Sequence, residues 1–338
     1  MKVEELKSTL ELVKPGIASK ELMEQSTSVI LDGDNIWTFN DEVGVRAPFD
    51  IGMKGAIDAA PIYQFLGKLD KGAEITVAEK EGKFVISSGR FRASIAIDFE
   101  IKLPTDEIQD PEKWEKIPEE FLPAVDKVLF SVGTSGHLPI LSCIHITKKF
   151  VESCDEFRLT RCFGDMMGLK EIEELNIVGK YLDNLLDYSP TEIGMTDGWV
   201  HFRNKDKVVY SVRSIEASYP DLDDFLKVDG SEIQFPEEIN RDLDWAAVAL
   251  ENKKINRFEH GVIVGFSRKG LSITGTGENV MAESLVRMKY SGESVEFEAH
   301  PVFLKEMIKI AKKVVVSDKS LKVEGDNFIH VVSLTRKE

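Results

Sequence analysis

Cysteine is scarce: Cys143, Cys154 and Cys162 are the only three in 338 residues. An odd count without zinc-type spacing argues against a disulfide framework or a structural zinc site, and a reducing, cytoplasmic compartment is the simplest expectation. Long apolar runs are missing, so neither a membrane span nor a membrane partner is expected. The opening MKVEELKSTLELV alternates charged and apolar residues, and no secretion signal is expected there. Positive charge is in deficit: Lys and Arg number 43 against 59 Asp and Glu, a net charge of −16. That excludes a protein coated all over with basic nucleic-acid contacts, but not one that confines its lysines to one surface.

Catalytic signatures are missing too. There is no G-x-S-x-G elbow, no phosphate-cradling P-loop and no H-E-x-x-H. Gly275-Thr276-Gly277-Glu278 lacks the third glycine of a dinucleotide fingerprint, and Asp32-Gly33-Asp34-Asn35 lacks the later ligands of a calcium loop. The histidines (His137, His145, His201, His260, His300 and His330) show no metal-ligand spacing. His145 and His330 fall in apolar strand runs and read as core or edge groups, while His137 in VGTSGHLP is open to a DNA or partner contact. Cys162 has only Arg161 beside it, too little to make a nucleophile. The expectation is a non-enzyme with no cofactor and no metal. An enzyme with a site at a domain junction would need converging titratable groups, and the sequence offers none.

What is present is an ordinary globular composition, 42% hydrophobic and 30% charged, with length for two or three domains. A diverged repeat runs through it. Glu4-Glu5-Leu6, Glu119-Glu120-Phe121 and Glu237-Glu238-Ile239 each open a stretch of helical spacing: VEELKSTLELV, PEEFLPAVDKVLF and PEEINRDLDWAAVAL. Pro118 and Pro236 sit where a helix start tolerates proline, and the acids suit the positive end of the dipole. A second mark follows in phase: Tyr63 in PIYQFLGKL, Tyr181 in KYLDNLLDY and Phe303 in PVFLKEMIKIAKK. After each comes a strand, a tight turn and a strand, including the Asp197-Gly198 hairpin signal. Further alternating runs bounded by Gly, Asp and Asn read as strands, with turns at Asp32-Gly33 and Arg268 to Gly270. The chain is therefore expected to be α+β, with three tandem units over 1–104, 118–228 and 232–338, each carrying two helices on antiparallel sheet.

Units of this kind expose sheet edges, and head-to-tail association of identical chains closes such edges into a ring. A ring has an inner and an outer face, so an acidic chain can keep its lysines inside. Lys305, Lys309 and Lys312 fall on one stripe of PVFLKEMIKIAKK and Lys313 extends it, with Phe303, Met307 and Ile310 on another. Lysine near a helix C-terminus is also favoured by the dipole alone. Lys7, Lys14, Lys68, Lys71, Lys127, Lys180 and Arg241 lie in or beside the other expected helices and complete the candidate DNA-contacting set.

Four segments resemble a known family. Gly82-Lys83-Phe84 with Ser88-Gly89-Arg90-Phe91-Arg92 is similar to the end of the first domain of bacterial sliding clamps, the beta subunit of DNA polymerase III. Ser211-Val212-Arg213-Ser214-Ile215 with Ser218-Tyr219-Pro220-Asp221 resembles the signature closing the second domain. Lys289-Tyr290-Ser291-Gly292-Glu293 with Phe297 and Phe303 resembles the third, and PILSCIHI resembles the family's proline-valine/isoleucine-leucine-serine strand. The resemblance spans nearly the whole chain in register; the chain is rather short for the bacterial family, which points to a phage-encoded relative as an alternative source.

The resemblance implies a head-to-tail homodimer of six units around duplex DNA, read without sequence preference, that tethers DNA polymerase and is served by a clamp loader. It also implies a pocket for partner peptides, which by position falls on Cys162, Gly164, Asp165, Met166, Met167, His300, Phe303, Val331, Val332, Ser333 and Leu334. Two departures stand out. Cys162-Phe163-Gly164-Asp165-Met166-Met167 replaces threonine-aspartate-glycine-histidine-arginine-leucine, and Ser333-Leu334-Thr335-Arg336-Lys337-Glu338 replaces methionine-proline-methionine-arginine-leucine. Met166 and Met167 suit either an adaptable binding surface or a core. The alternative is an interaction scaffold that has the fold but does not encircle DNA.

Overall fold

The computed structural model describes residues 1–134, 138–169, 172–250 and 260–335. His137 and the terminal Arg336, Lys337 and Glu338 lie outside the described residues. The first third carries α1 (Val3–Val13), β1 (Ser28–Asp32), β2 (Asn35–Phe39), β3 (Val43–Pro48), β4 (Lys54–Asp58), α2 (Ala59–Leu66), β5 (Thr76–Lys80), β6 (Lys83–Ser88) and β7 (Phe91–Ala96). The second carries β8 (Glu115–Lys116), α3 (Phe121–Leu129), β9 (Cys143–Thr147), β10 (Phe150–Cys154), β11 (Arg158–Phe163), β12 (Glu174–Val178), α4 (Gly179–Leu186), β13 (Glu192–Thr196), β14 (Trp199–Arg203) and β15 (Val209–Arg213). The third carries β16 (Ser231–Gln234), α5 (Ile239–Ala247), β17 (Val262–Ser267), β18 (Gly270–Thr276), β19 (Met281–Val286), β20 (Val295–Ala299), α6 (Pro301–Ile310), β21 (Lys313–Val316), β22 (Ser320–Glu324) and β23 (Phe328–Ser333).

The element order is the same three times: helix, three strands, a fourth strand, helix, three strands. The repeat extends to single hydrogen bonds. The residue entering the first helix donates to the residue ahead of the second hairpin as Val3 N to Ala73 O (2.9 Å), Ile117 N to Thr191 O (3.0 Å) and Phe235 N to Lys312 O (2.9 Å). A short leading strand precedes this point in the second and third copies (β8 on β13, β16 on β21), and a single Lys2–Glu74 bridge marks it in the first. The tight turns expected from sequence fall where glycine supplies a positive φ: Gly33 at 103° and Gly198 at 71°.

The chain forms two compact units. One comprises 1–126, 145–149 and 165–217; the other comprises 127–144, 150–164 and 218–338. The first holds an eight-stranded antiparallel sheet, β4-β1-β2-β3-β15-β14-β13-β8, and the three-stranded β5-β6-β7. The second holds the run β10-β11-β23-β22-β21-β16 and the four-stranded β19-β18-β17-β20. In both units a strand of one repeat zips onto a strand of the next. β3 pairs with β15 (Val45 with Tyr210), and β11 pairs with β23 (Thr160 with His330).

The helices are held by their apolar stripes. α6 buries Phe303, Leu304, Met307 and Ile308 against Ile239, Leu243, Val264, Phe266 and Val323. Each such side chain is worth roughly 1.5–3 kcal/mol over an exposed one. α6 stops at Ile310: Ala311 is extended (φ −154°, ψ 151°), and the β-branched run Val314-Val315-Val316 pulls Lys313 into β21 opposite Gln234. Lys312 and Lys313 therefore do not continue the helical stripe expected of them. Among the described residues no helix is long and apolar enough to cross a membrane.

Candidate functional site

The residues carried over as a peptide pocket divide between the two units. In the second unit β11 begins beside the end of β23: Arg158 faces Val332, Leu159 faces Val331, and Ser333 N–H donates to Phe157 O at 2.7 Å. Because neighbouring residues of a strand point to opposite faces, two apolar surfaces result. On the α6 side Phe303 stacks on Phe157 (5.9 Å between ring centroids) and lies 4.9 Å from the His300 ring. Val332 is fully buried in the same core, and Leu334 packs against it while its N–H donates to Lys319 O. On the other side Leu159 and Val331 join Cys154, Leu141 and the linker residues Leu222, Leu226 and Val228 in a separate cluster. Val331 and Val332 thus belong to different buried clusters.

The linker over this second cluster is pinned by polar groups. Cys154 N–H donates to Tyr219 Oη at 3.0 Å. The buried Arg161 guanidinium bonds Glu152 (2.7 Å) on the neighbouring strand β10 and Asp223 (2.6 Å) on the linker, with its face 4.1 Å from the Phe150 ring centroid. A buried arginine held by two carboxylates keeps its charge satisfied; removing either partner strands it.

The other expected pocket residues lie elsewhere. Cys162 is at the far end of β11, opposite Phe328 and 1% exposed, and burial pushes its thiol pKa up to about 11. Gly164 follows that far end. Asp165, Met166 and Met167 belong to the first unit: Asp165 N–H donates to Glu120, Met166 is buried with its N–H on Lys148 O, and Asp165 and Met167 line a cavity of about 540 Å³ with Ile117, Pro118 and Leu169. Cys154-Asp155-Glu156-Phe157-Arg158-Leu159 keeps the aspartate, arginine and leucine of the six-residue string at their spacing, and this signal identifies the residues that stand beside Phe303.

The candidate DNA-contacting residues are spread over both units. Lys7 is exposed on α1, Lys180 on α4 and Arg241 on α5; Lys68 and Lys71 follow the end of α2. Lys127 lies 4.4 Å from the Phe328 ring centroid and Lys180 4.5 Å from Tyr181. Lys309 is exposed on α6. Others are engaged with acids: Lys14 with Glu11 (3.2 Å), Lys305 with Asp244 of α5, Lys312 with Glu237 (3.8 Å) and Lys313 with Glu232 (2.8 Å).

No protein-family model matches the chain, and no curated protein sequence matches it. Solved structures do. A DNA polymerase sliding clamp from Pseudomonas aeruginosa with ligand superposes with a TM-score of 0.84 at 17% identity, over 100% of this chain and 99% of that one. The sliding clamp of the same organism bound to griselimycin gives 0.85 at 16% identity, over 100% and 98%. The clamp from Bacillus subtilis gives 0.81 at 16% identity, over 100% and 98%. With its threefold element order and these full-length superpositions, the chain has the fold of the bacterial DNA polymerase III beta sliding clamp.

Proposed function

We propose that this protein is a non-enzymatic DNA polymerase processivity factor: a sliding clamp that closes into a head-to-tail homodimeric ring of six repeats around duplex DNA. One observation carries the reading. Within the chain, the third strand of one repeat always pairs with the last strand of the next: β3 with β15, β11 with β23. By that rule β19 of the third repeat calls for the last strand of a further first repeat, which is β7. Both β19 and β7 are edge strands. Long exposed edges are avoided in monomers and are closed by pairing.

The two edges complement one another. β19 displays Met281 and Leu285 (67% and 71% exposed) around Glu283, with Trp245 and Val248 exposed on the α5 side. β7 displays Phe91 (57% exposed) between the exposed Arg90 and Arg92. Apolar residues ringed by opposite charges are the composition of an interface.

In this reading the repeats run over 1–104, 118–228 and 232–338, and the protein works in the cytoplasm. Lys7, Lys68, Lys71, Lys127, Lys180, Arg241 and Lys309 touch phosphates without reading bases. Polymerase and clamp loader dock on the apolar surface at α6, where this chain also takes griselimycin. A ring retains DNA by topology and needs no tight contact, so a net charge of −16 is workable. A second reading, a scaffold with the fold that does not encircle DNA, is favoured by the acids that already engage Lys14, Lys305, Lys312 and Lys313. Light scattering on the eluting protein separates the two: the ring requires about twice 38.0 kDa, and a mass that stays at one chain at micromolar concentration removes it.

A further inference from the structure

Phe303 of α6 is only 4% exposed. Besides the core it packs into, three side chains of the same unit lie against its ring: Phe157, His300 and Arg158. The Arg158 guanidinium lies 4.6 Å from the Phe303 ring centroid and 5.5 Å from that of Phe130, while Phe157 stacks on Phe303. Two carboxylates hold the guanidinium there. Asp155 accepts from Arg158 Nε at 3.0 Å, and Glu306 accepts from Nη1. Asp155 is itself fixed, because its other oxygen takes the N–H groups of Phe157 and Arg158 at 2.8 Å each. Glu306 lies three residues beyond Phe303 on α6, one turn along, and is the more exposed of the two acids (29% against 17%).

We infer that Arg158 is the gate of this surface: its guanidinium occupies the face of Phe303, latched by Asp155 and Glu306, and the bulky apolar side chain of a partner reaches that ring only when the latch lets go. The inference rests on the reading of the α6 surface as a partner site and adds how that site is regulated. A guanidinium on an aromatic face is held by the ring quadrupole as well as by its acids, so it competes directly with an apolar ligand for the same face. The open state is then a minor one, and the apparent affinity of any ligand falls by the open fraction. The fixed Asp155 keeps the arginine near the strand; the Glu306 end is where release begins.

The test uses the full-length protein in three forms: unchanged, Arg158→Ala and Glu306→Gln. Each is titrated calorimetrically with griselimycin and, without it, with the neutral dye Nile red, with circular dichroism as the check on folding. Removing the gate is expected to tighten griselimycin about tenfold, and loosening the latch several-fold, by raising the open fraction. Both variants should brighten the dye at unchanged helix content. Griselimycin binding that is equal or weaker in both variants, with the dye unmoved, overturns the gate and leaves the partner surface standing. Dye brightening in the variants, with no form binding griselimycin, supports the gate and overturns the partner reading. Failure of both signals overturns both. Should Arg158→Ala not fold, Glu306→Gln carries the same decision.

Discussion

Two buried histidines should make the protein's stability sensitive to acid. His201 is fully buried in β14, its Nε2 2.8 Å from Thr196 Oγ1 and its Nδ1 2.8 Å from Ser211 Oγ. His330 is fully buried in β23, with Nδ1 2.9 Å from Thr160 Oγ1, which is 2.6 Å from Ser131 Oγ. Burial, the larger cause in each, pushes the first down to about 4 and the second to about 3. Both are neutral in the folded chain, whereas unfolding returns them to the ordinary imidazole range. Below about pH 6.5 the unfolded chain therefore binds protons that the folded chain refuses, and stability falls as pH falls. Each should remove about 1.6 kcal/mol between pH 6.5 and pH 5, before most carboxylates titrate. Urea midpoints across that window measure it. His201→Gln and His330→Gln should each flatten the slope; an unchanged slope means these imidazoles are already protonated in the folded protein. His330 in an apolar run was legible in sequence as a core or edge group. Arg158 was not, because an arginine at a strand end looks solvent-bound until the topology brings Phe303, Asp155 and Glu306 around it.

At the scale of elements, the in-phase acidic pairs and aromatics disclosed three copies of helix and sheet, since helix starts and amphipathic stripes are local properties. Strand partners are not local. Nothing in the sequence of β3 names β15, and only the pairing in space shows the rule that leaves β7 and β19 over. The stripe drawn from Lys305 through Lys313 failed for a related reason: helical spacing continues on paper past Ile310, but three valines paired with β16 hold that segment as strand. The edge rule makes its own prediction. Leu285→Asp, placing a charge in the middle of the β19 surface, should shift the protein to a single-chain mass in light scattering. Arg92→Glu alone should weaken dimerisation several-fold, as reversal of an exposed charge pair does, and adding Glu283→Arg should recover part of the loss. If dimer mass survives Leu285→Asp, the edges pair elsewhere or not at all.

For the molecule as a whole, the charge balance and the proposed ring have to be reconciled. An open binder with a net charge of −16 depends on its few phosphate contacts, and its affinity falls steeply with salt as counterions re-condense on the DNA. A closed ring is indifferent to that loss so long as its track has no end. Loaded onto nicked circular DNA, the protein should therefore stay bound through a wash at high salt, and cutting the circle once should release it. Lys180→Glu with Lys309→Glu should shorten retention on the linear form, where contacts govern sliding to the end, and change it little on the circle. Equal loss from circle and line at every salt concentration would mean that the chain does not surround its DNA; the acids that engage Lys14, Lys305, Lys312 and Lys313 would then describe a scaffold whose lysines serve its own fold.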